Sequence, residues 1–385
     1  MRTLQPVLKI GRNCWNRENM PETEFRARVR RLRKIMAKYD VDILLLYGNG
    51  VNNYGHQSYI SNYVPESVGG VIVFIPAEGK VTLVFEGVAR GLSEVKNITW
   101  IEDIRASGDI IKSCIEYLEA GTYTSPKVGI AGFRHLMPAL QWHKFYQLTG
   151  RYSVRDFSDA IQEMRMIKSS RERAQIKRTS GIVSRAFDIL TKARFSTITE
   201  QAIQAETEKY CYSEGADDVR CLITNPQEKN GIFRPAENNR IVDSKTIAVY
   251  LAVACETYWA ESIRTYIVNP PSLIPPQAKV ELTPILKNLN AGIPISKFYE
   301  LAVNDLKSER ESSFYNYPGN SIGLGLQEYP VISESENLKL KKGMCLALRT
   351  VTRNNGFGNI ITGNTVLLEK EGPEIPTRSS SDNII

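Results

Sequence analysis

The sequence predicts two domains, an α/β domain followed by an α+β domain. The chain has 385 residues, which exceeds the roughly 250–300 residues that one hydrophobic core usually organises. Short apolar runs alternate with helix-like segments up to Asp156, whereas long helical stretches and then paired strands follow that residue. We therefore assign residues 1–163 to the first domain and residues 164–385 to the second.

A helix predicted over Glu22–Tyr39 opens the first domain. Its apolar residues recur every three or four positions and form one stripe, so the basic residues between Arg26 and Lys34 are expected on the solvated side. This basic run has no interleaved aromatic residues and no nucleic-acid-binding motif, so we interpret it as a solvated face. The remaining elements alternate in type: strands Asp42–Tyr47, Val71–Pro76, Val81–Phe85 and Lys127–Ile130, and helices Ile110–Ala120 and Leu136–Leu148.

Two long helices and two strand pairs are predicted in the second domain: helices Ser170–Ala193 and Thr199–Glu214, strands Thr246–Ala252 with Tyr258–Val268, and strands Met344–Thr352 with Asn359–Leu368. A short turn centred near Cys255–Glu256 places Tyr250 opposite Glu261 in a simple hairpin. An Asn-Gly dipeptide is the turn signal of the second pair, and it places Arg349 opposite Gly363.

Composition excludes several classes of protein. A hydrophobic content of 42% with 24% charged residues is ordinary for a globular protein and argues against extensive disorder. The 49 basic and 42 acidic residues give a net charge of +7 that is spread along the chain. The six cysteines form no CxxC pair, which favours reduced thiols. No apolar run approaches the ~20 residues of a membrane helix, and the first residues lack the apolar centre of a secretory signal. We expect a soluble, cytoplasmic protein.

Five segments together resemble the creatinase, prolidase and aminopeptidase P family. They match its N-terminal domain, its R-x-I-K-S-x-x-E linker, its S-D-x-x-R-T strand, its G-H-G-I-G-L loop and its final strand pair: YDVDILLLYGNGVNNYGHQSYISNY, Met164–Phe187, Glu256–Val268, Pro318–Pro330, and LKKGMCLALRTVT with NIITGNTVLL. The resemblance covers nearly the whole chain. It implies a creatinase-type, ribonuclease H-like α/β N-terminal domain and an α+β C-terminal domain of the pita-bread fold.

The same resemblance implies a changed metal site. Metal-binding members hold two divalent ions with five ligands, which fall here at Tyr250, Glu261, Asn320, Arg349 and Gly363. Only Glu261 carries a good ligand, and Arg349 brings a permanent positive charge to the place of the metals. We therefore expect neither a metal ion nor another cofactor.

Creatine amidinohydrolase and ectoine hydrolase are metal-independent relatives within this fold, and both hydrolyse C–N bonds in small polar molecules. By this resemblance we assign Glu261 as general base or nucleophile, Tyr250 as proton donor or hydrogen-bond anchor, and Arg349 as the clamp on a substrate carboxylate. The other predicted substrate-binding residues are Asn320, Gln327, Glu328, Tyr317, Arg264 and His56.

Other interpretations of these residues remain open. Glu261 and Arg349 can form a salt bridge that fills the space of the metals, and a close guanidinium makes the carboxylate a weaker base. Arg264 belongs to an R-T pair that mostly supports the site. A nucleophilic cysteine at Cys255 or Cys345 is disfavoured, because all three histidines lie in the N-terminal half. The second domain therefore has no histidine that could activate a thiolate. His56 reaches the site only from a neighbouring subunit.

Two classes of function follow. The first is a metal-independent enzyme that hydrolyses a C–N bond, or performs related lyase or cyclase chemistry, on a small anionic or zwitterionic metabolite. The second is a non-catalytic pseudo-peptidase that binds a peptide or a partner protein. Polar replacements at the ligand positions favour the enzyme. The resemblance also implies a homodimer, in which the segment Tyr59–Gly69 reaches the partner's site, without nucleic-acid or membrane partners.

Overall fold

The computed structural model describes residues 15–50, 55–65, 69–121, 125–191, 197–227, 232–237, 245–268, 283–305, 318–354 and 358–378. The chain divides into two compact units, Met1–Arg165 and Met166–Ile385. The first is an α/β unit and the second an α+β unit, as predicted. The assigned boundary between residues 163 and 164 stays a prediction.

The N-terminal unit contains helices on a mixed sheet. Its helices are α1 (Glu22–Lys38), α2 (Gly55–Ser61), α3 (Leu92–Ile98), α4 (Ile110–Glu119), α5 (Phe133–Leu136), α6 (Ala139–Thr149) and α7 (Ser158–Met166), and its strands are β1 (Ile43–Asn49), β2 (Gly70–Pro76), β3 (Thr82–Glu86), β4 (Asp103–Ser107), β5 (Lys127–Ala131) and β6 (Ser153–Asp156). The strand order is β4-β3-β2-β1-β5-β6. Strands β1, β2 and β3 are antiparallel neighbours, whereas β5 and β6 run parallel to β1.

One arginine of the basic run departs from the prediction of a solvated face. Arg28 is buried, because its position falls on the same helical stripe as Phe25 and Leu32. Its guanidinium donates to the Tyr59 carbonyl at 2.8 Å and pairs with Glu24 at 3.2 Å. A buried cation needs such partners, and the spacing of charges alone does not reveal them.

The C-terminal unit is built around one antiparallel sheet. Its helices are α8 (Ser170–Leu190), α9 (Glu200–Ser213), α10 (Thr283–Lys287) and α11 (Ile295–Asp305), and its strands are β7 (Asp218–Thr224), β8 (Thr246–Cys255), β9 (Tyr258–Ile267), β10 (Gly319–Ser321), β11 (Glu328–Val331), β12 (Cys345–Asn354), β13 (Gly358–Glu369) and β14 (Gly372–Glu374). The order is β11-β10-β12-β13-β9-β8-β7, with β14 paired to β13.

Helix α8 starts at a capping box, which lies within the segment that resembles the family's linker motif. The Ser169 hydroxyl accepts from the Glu172 amide at 3.2 Å, and the Glu172 carboxylate accepts from the Ser169 amide at 3.0 Å. Two amides that the helix leaves unsatisfied are thereby bonded. The apolar stripe of α8 then packs on alternate residues of β8, including Val249 and Leu251.

The register of the first hairpin differs from the prediction. Tyr250 pairs with Ile263, and Glu261 pairs with Ala252. The turn lies one residue later than predicted, because Glu256 and Thr257 occupy its two central positions with φ of 48° and 70°. Such φ values define a type I′ turn, which usually carries Asn or Gly, so the sequence gives no signal for it here.

The register of the second hairpin is as predicted. Arg349 pairs with Gly363, near the middle of a ladder that continues to Asn354 and Gly358. The predicted turn residues Asn355 and Gly356 lie outside the described residues. Within the described residues, no helix combines the length and hydropathy that a membrane crossing requires.

Candidate functional site

Four predicted site residues meet on one face of the C-terminal sheet. Residues alternate between the two faces of a strand, and Tyr250 on β8, Glu261 on β9 and Arg349 on β12 point away from helices α8 and α9. Asn320 on β10 completes the group. We call Tyr250, Glu261, Asn320 and Arg349 the polar cluster.

An ion pair forms the centre of the polar cluster. The Arg349 Nε donates to Glu261 Oε1 at 2.8 Å, and a terminal nitrogen of the same guanidinium lies 2.5 Å from that oxygen. The side chain of Glu261 is 2% exposed and that of Arg349 is 12% exposed. Burial of a carboxylate away from water is costly unless a counter-ion pairs with it, as Arg349 does here.

Tyr250 donates a hydrogen bond to the other oxygen of the Glu261 carboxylate. Its hydroxyl donates to Glu261 Oε2 at 2.9 Å. In the observed register the two residues are diagonal neighbours across the hairpin, a separation that a tyrosine spans. Burial, and then the negative charge of Glu261, raise the pKa of Tyr250 well above its usual value, although Arg349 opposes the shift. Tyr250 is therefore a protonated hydrogen-bond donor at neutral pH.

Asn320 fixes the far side of the guanidinium. Its Oδ1 accepts from an Arg349 terminal nitrogen at 3.2 Å, while its Nδ2 donates to the carbonyls of Ser321 at 2.8 Å and Leu326 at 3.2 Å. The two carbonyl bonds determine the orientation of the amide, so its oxygen faces Arg349. The arginine is thus held between a carboxylate and an amide oxygen.

The five positions of the family's metal ligands do not fit a metal pair. Both Glu261 oxygens accept hydrogen bonds, and the permanent positive charge of Arg349 beside this carboxylate would repel a divalent cation. Gly363 has no side chain to offer a ligand, and a Cβ there would lie 3.1 Å from the Ile263 side chain, a tight contact. No group of three His, Cys, Asp or Glu residues suited to a metal occurs in the described parts of the chain.

Arg264 lies on the opposite face of the sheet, away from the polar cluster. It differs from Glu261 by three positions in one strand, and an odd separation reverses the face. Its guanidinium donates to the carbonyls of Gly363 and Thr377, each at 3.1 Å, and to Asn364 Oδ1 at 3.1 Å. These bonds tie β9, β13 and the C-terminal segment together, so the residue supports the sheet.

Glu328 is bound by a residue to which sequence analysis gave no role. The ammonium group of Lys168 lies 3.0 Å from Glu328 Oε2 and 3.2 Å from Ser321 Oγ. The side chains of Lys168 and Glu328 are 1% and 5% exposed. The other Glu328 oxygen accepts from the Gly325 amide at 2.9 Å. Glu328 therefore holds its loop in place, and Lys168, the lysine of the linker motif, is its partner.

The three remaining predicted substrate-binding residues are Gln327, Tyr317 and His56, and their assignment to the site stays a prediction. Gln327 is exposed, and Tyr317 lies outside the described residues. His56 belongs to the N-terminal unit, where it is buried and its Nδ1 lies 3.4 Å from an Arg165 terminal nitrogen. In the predicted partner-facing segment, Tyr59–Val64 is buried in its own chain, and residues 66–68 lie outside the description.

The described cysteines are poor candidates for a nucleophile. Cys114, Cys211, Cys221, Cys255 and Cys345 are all buried and form no disulfide among themselves. Burial raises the pKa of the Cys345 thiol to about 12, so it is not a thiolate at neutral pH. Cys255 is 1% exposed, and its thiol donates to the Gly215 carbonyl at 3.4 Å.

Comparison with known proteins gives two family matches. The sequence model of metallopeptidase family M24 matches residues 174–370, and that of the creatinase/prolidase N-terminal domain matches residues 28–167. An Xaa-Pro dipeptidase from Pyrococcus horikoshii is 20% identical over 371 residues, covering 93% of this chain and 98% of that protein. A methionine aminopeptidase from Buchnera aphidicola is 24% identical over 136 residues, covering 33% of this chain and 51% of its own length.

Solved structures share the two-domain fold. The prolidase from Pyrococcus horikoshii OT3 superposes with a TM-score of 0.73 at 20% identity, covering 92% of this chain and 99% of its own. The N-terminal domain of FACT complex subunit SPT16 from Cicer arietinum superposes with a TM-score of 0.66 at 15% identity, covering 94% and 96% of the two chains. These identities support the fold and leave the chemistry to be argued from the residues.

Proposed function

Because the chain belongs to metallopeptidase family M24, with a creatinase/prolidase N-terminal domain, we propose that it is a hydrolase that cleaves a C–N bond without a metal ion. Its substrate is a small anionic or zwitterionic molecule, and the polar cluster is the catalytic centre. Polar chemistry at the positions of the metal ligands is the observation that carries this proposal.

The energetics of the ion pair support a functional role. Removing Glu261 and Arg349 from water costs several kcal/mol for each ion, and apolar replacements of similar volume are often as stable or more stable. A site whose only remaining task was to fill space would tolerate such replacements. The chain instead keeps a cation, a carboxylate, a phenol and an amide in mutual hydrogen-bond contact.

The geometry suggests how the site is activated. In the free protein Arg349 is engaged by Glu261, so a substrate carboxylate that binds Arg349 bidentately competes with Glu261 and releases it. Glu261 then removes a proton from a water molecule while the oxygen of that water attacks the substrate carbon. Tyr250 donates its phenolic proton to the leaving nitrogen as the C–N bond breaks. The proton on Glu261 passes back to Tyr250 along the 2.9 Å hydrogen bond, which restores both groups.

Xaa-Pro dipeptides are the first substrates to test. A relative that matches along 98% of its own length is an Xaa-Pro dipeptidase, and these dipeptides are small zwitterions. N-acyl, ureido and amidino compounds that carry a carboxylate are the second set. Mass spectrometry that detects the released amine or carboxylate product would identify the reaction.

We expect activity to survive removal of metal ions. The positions of the family's metal ligands supply one carboxylate, Glu261, and both of its oxygens already accept hydrogen bonds. Dialysis against a chelator should therefore leave kcat/KM unchanged. Elemental analysis should find less than one equivalent of any divalent transition metal per chain. Loss of activity with the chelator, and its return with manganese, cobalt, zinc or iron, would contradict metal independence.

A non-catalytic binding protein is the second candidate, and one observation favours it. Glu261 is 1% exposed and both of its oxygens accept hydrogen bonds, so it reacts only after the network opens. The two candidates differ in a simple measurement. A ligand that binds tightly without turnover, and whose affinity is insensitive to Glu261→Gln, would favour the binding protein.

We also propose a homodimer, as the family resemblance implies. Light scattering at micromolar concentration should give twice the mass of 43.4 kDa. A monomer that retains activity would show that no partner segment completes the site.

A further inference from the structure

An open cavity of about 210 Å³ lies in the N-terminal unit, between α1, the β2–β3 connection and the segment that precedes β4. Four cationic side chains line it, together with one acid and an apolar wall that includes Trp100; the charged residues are Arg26, Arg30, Arg33, Lys80 and Glu102.

The three arginines form a stripe on α1. They are spaced by four and three residues, so they lie one above another on the same helix face, where like charges repel. Arg26 is offset by Glu22, whose carboxylate lies 2.5 Å away. Arg30 is exposed and has neither an ion pair nor a hydrogen bond within the part of the chain that the structure describes. The stripe therefore holds positive charge that its own helix does not neutralise.

The other charged groups leave this excess in place. Arg33 donates to the backbone carbonyls of Pro76 at 3.0 Å and Gly79 at 2.6 Å, which orient its guanidinium without cancelling its charge. Lys80 and Glu102 neutralise each other at 3.1 Å. Arg30 and Arg33 therefore face the cavity, with the carboxylate of Glu78, which does not line it, acting electrostatically on Arg33.

Trp100 gives the cavity a fixed aromatic wall. Its indole nitrogen donates to the Ile60 carbonyl at 2.7 Å, so the ring is anchored by its polar edge. The guanidinium carbon of Arg26 lies 5.0 Å from the ring centroid, within the range of a cation–π contact. The site thus combines an apolar surface with adjacent guanidinium groups, which is the pattern that recognises an anion with an organic part.

We propose that this cavity binds a small phosphate monoester, with the phosphoryl group at Arg30 and Arg33 and the organic group against Trp100. Guanidinium groups match phosphate oxygens in pairs, and the geometry brings two of them to one wall of the cavity. The volume equals roughly seven water molecules, which suits a phosphoryl group with a short organic substituent. This inference does not depend on the proposed hydrolase, because the two sites share no residue.

Isothermal titration calorimetry of the full chain with phenyl phosphate tests the proposal. At about 0.1 M salt, where exposed charges are screened beyond about 10 Å, we expect saturable binding of one ligand per chain. Arg30→Gln should weaken binding at least tenfold. Arg31→Gln is the matched control, since it makes the same charge change at the next exposed position, outside the cavity, and should change affinity less than twofold.

Three outcomes would overturn the inference. The first is the absence of saturable binding below about 10 mM ligand, the weak end of specific association. The second is an equal loss of affinity in Arg30→Gln and Arg31→Gln, which would indicate diffuse attraction to a basic surface. The third is equal affinity for inorganic phosphate and phenyl phosphate, which would remove the role of Trp100. Arg30 makes no described contact, so Arg30→Gln should keep the wild-type melting temperature without ligand; Arg30→Ala, with the same tenfold loss of affinity expected, is the second variant if it does not.

Discussion

Replacement of Glu261 by glutamine is expected to lower kcat by about 10²–10⁴-fold, the usual contribution of a general base. Glutamine keeps the size of the side chain and accepts one hydrogen bond through its oxygen, but it takes no proton from water. Substrate affinity should change far less, because Arg349 remains in place to bind a substrate anion. Steady-state kinetics with a substrate identified among the proposed compounds would separate the effect on kcat from the effect on substrate affinity.

Glu200→Gln provides the matched control. Glu200 is also a buried glutamate of the C-terminal unit, and it pairs with Arg234 at 2.7 Å and 3.1 Å. That substitution breaks a comparable ion pair, so it should affect folding without reducing kcat more than about twofold. Similar, small reductions in kcat for Glu261→Gln and Glu200→Gln, each with a lower melting temperature, would identify the Glu261–Arg349 pair as a structural salt bridge.

Replacement of Lys168 by methionine is expected to lower the free energy of unfolding by about 3–5 kcal/mol, because it leaves the buried carboxylate of Glu328 without its counter-ion. Lys177→Met is the control: Lys177 pairs with Glu374 at 2.7 Å, but both side chains are more than 40% exposed. An exposed pair contributes at most about 1 kcal/mol. Urea unfolding would measure both.

The double variant Lys168→Met/Glu328→Leu separates loss of a counter-ion from loss of packing. Removal of both charges should recover much of the stability, since buried pairs are often replaceable by apolar residues. Equal destabilisation by Lys168→Met and Lys177→Met would mean that water reaches the Lys168–Glu328 pair and that its burial has no energetic consequence.

Four of the eight strands of the C-terminal sheet were predictable because their sequence signals are local. Apolar segments flanking turn signals predict β8, β9, β12 and β13, and the Asn-Gly dipeptide predicts the register that brings Arg349 opposite Gly363. The register of the first hairpin was wrong, because Glu256 and Thr257 adopt a turn that their side chains do not favour. The polar cluster formed nevertheless, since a tyrosine reaches a diagonal neighbour.

The side chains around the site differ in how far the sequence alone places them. The odd separation of Arg264 from Glu261 already places it on the other face of the strand, in keeping with the interpretation that it mostly supports the site. The pairing of Lys168 with Glu328 joins residues 160 positions apart, and no local pattern encodes such a contact. Burial of Arg28 was likewise hidden, since its basic neighbours have the same charge and only the position of the stripe distinguishes them.

The tight packing at Gly363 has a consequence for how this chain can change over time. A side chain there would meet Ile263 at 3.1 Å and the Leu348 carbonyl at 3.3 Å. A carboxylate at this position therefore needs its neighbours to shift by a few tenths of an ångström, and a metal ion would still be repelled while Arg349 remains. The metal site would therefore require at least two changes together, an acid at position 363 and the loss of the Arg349 charge.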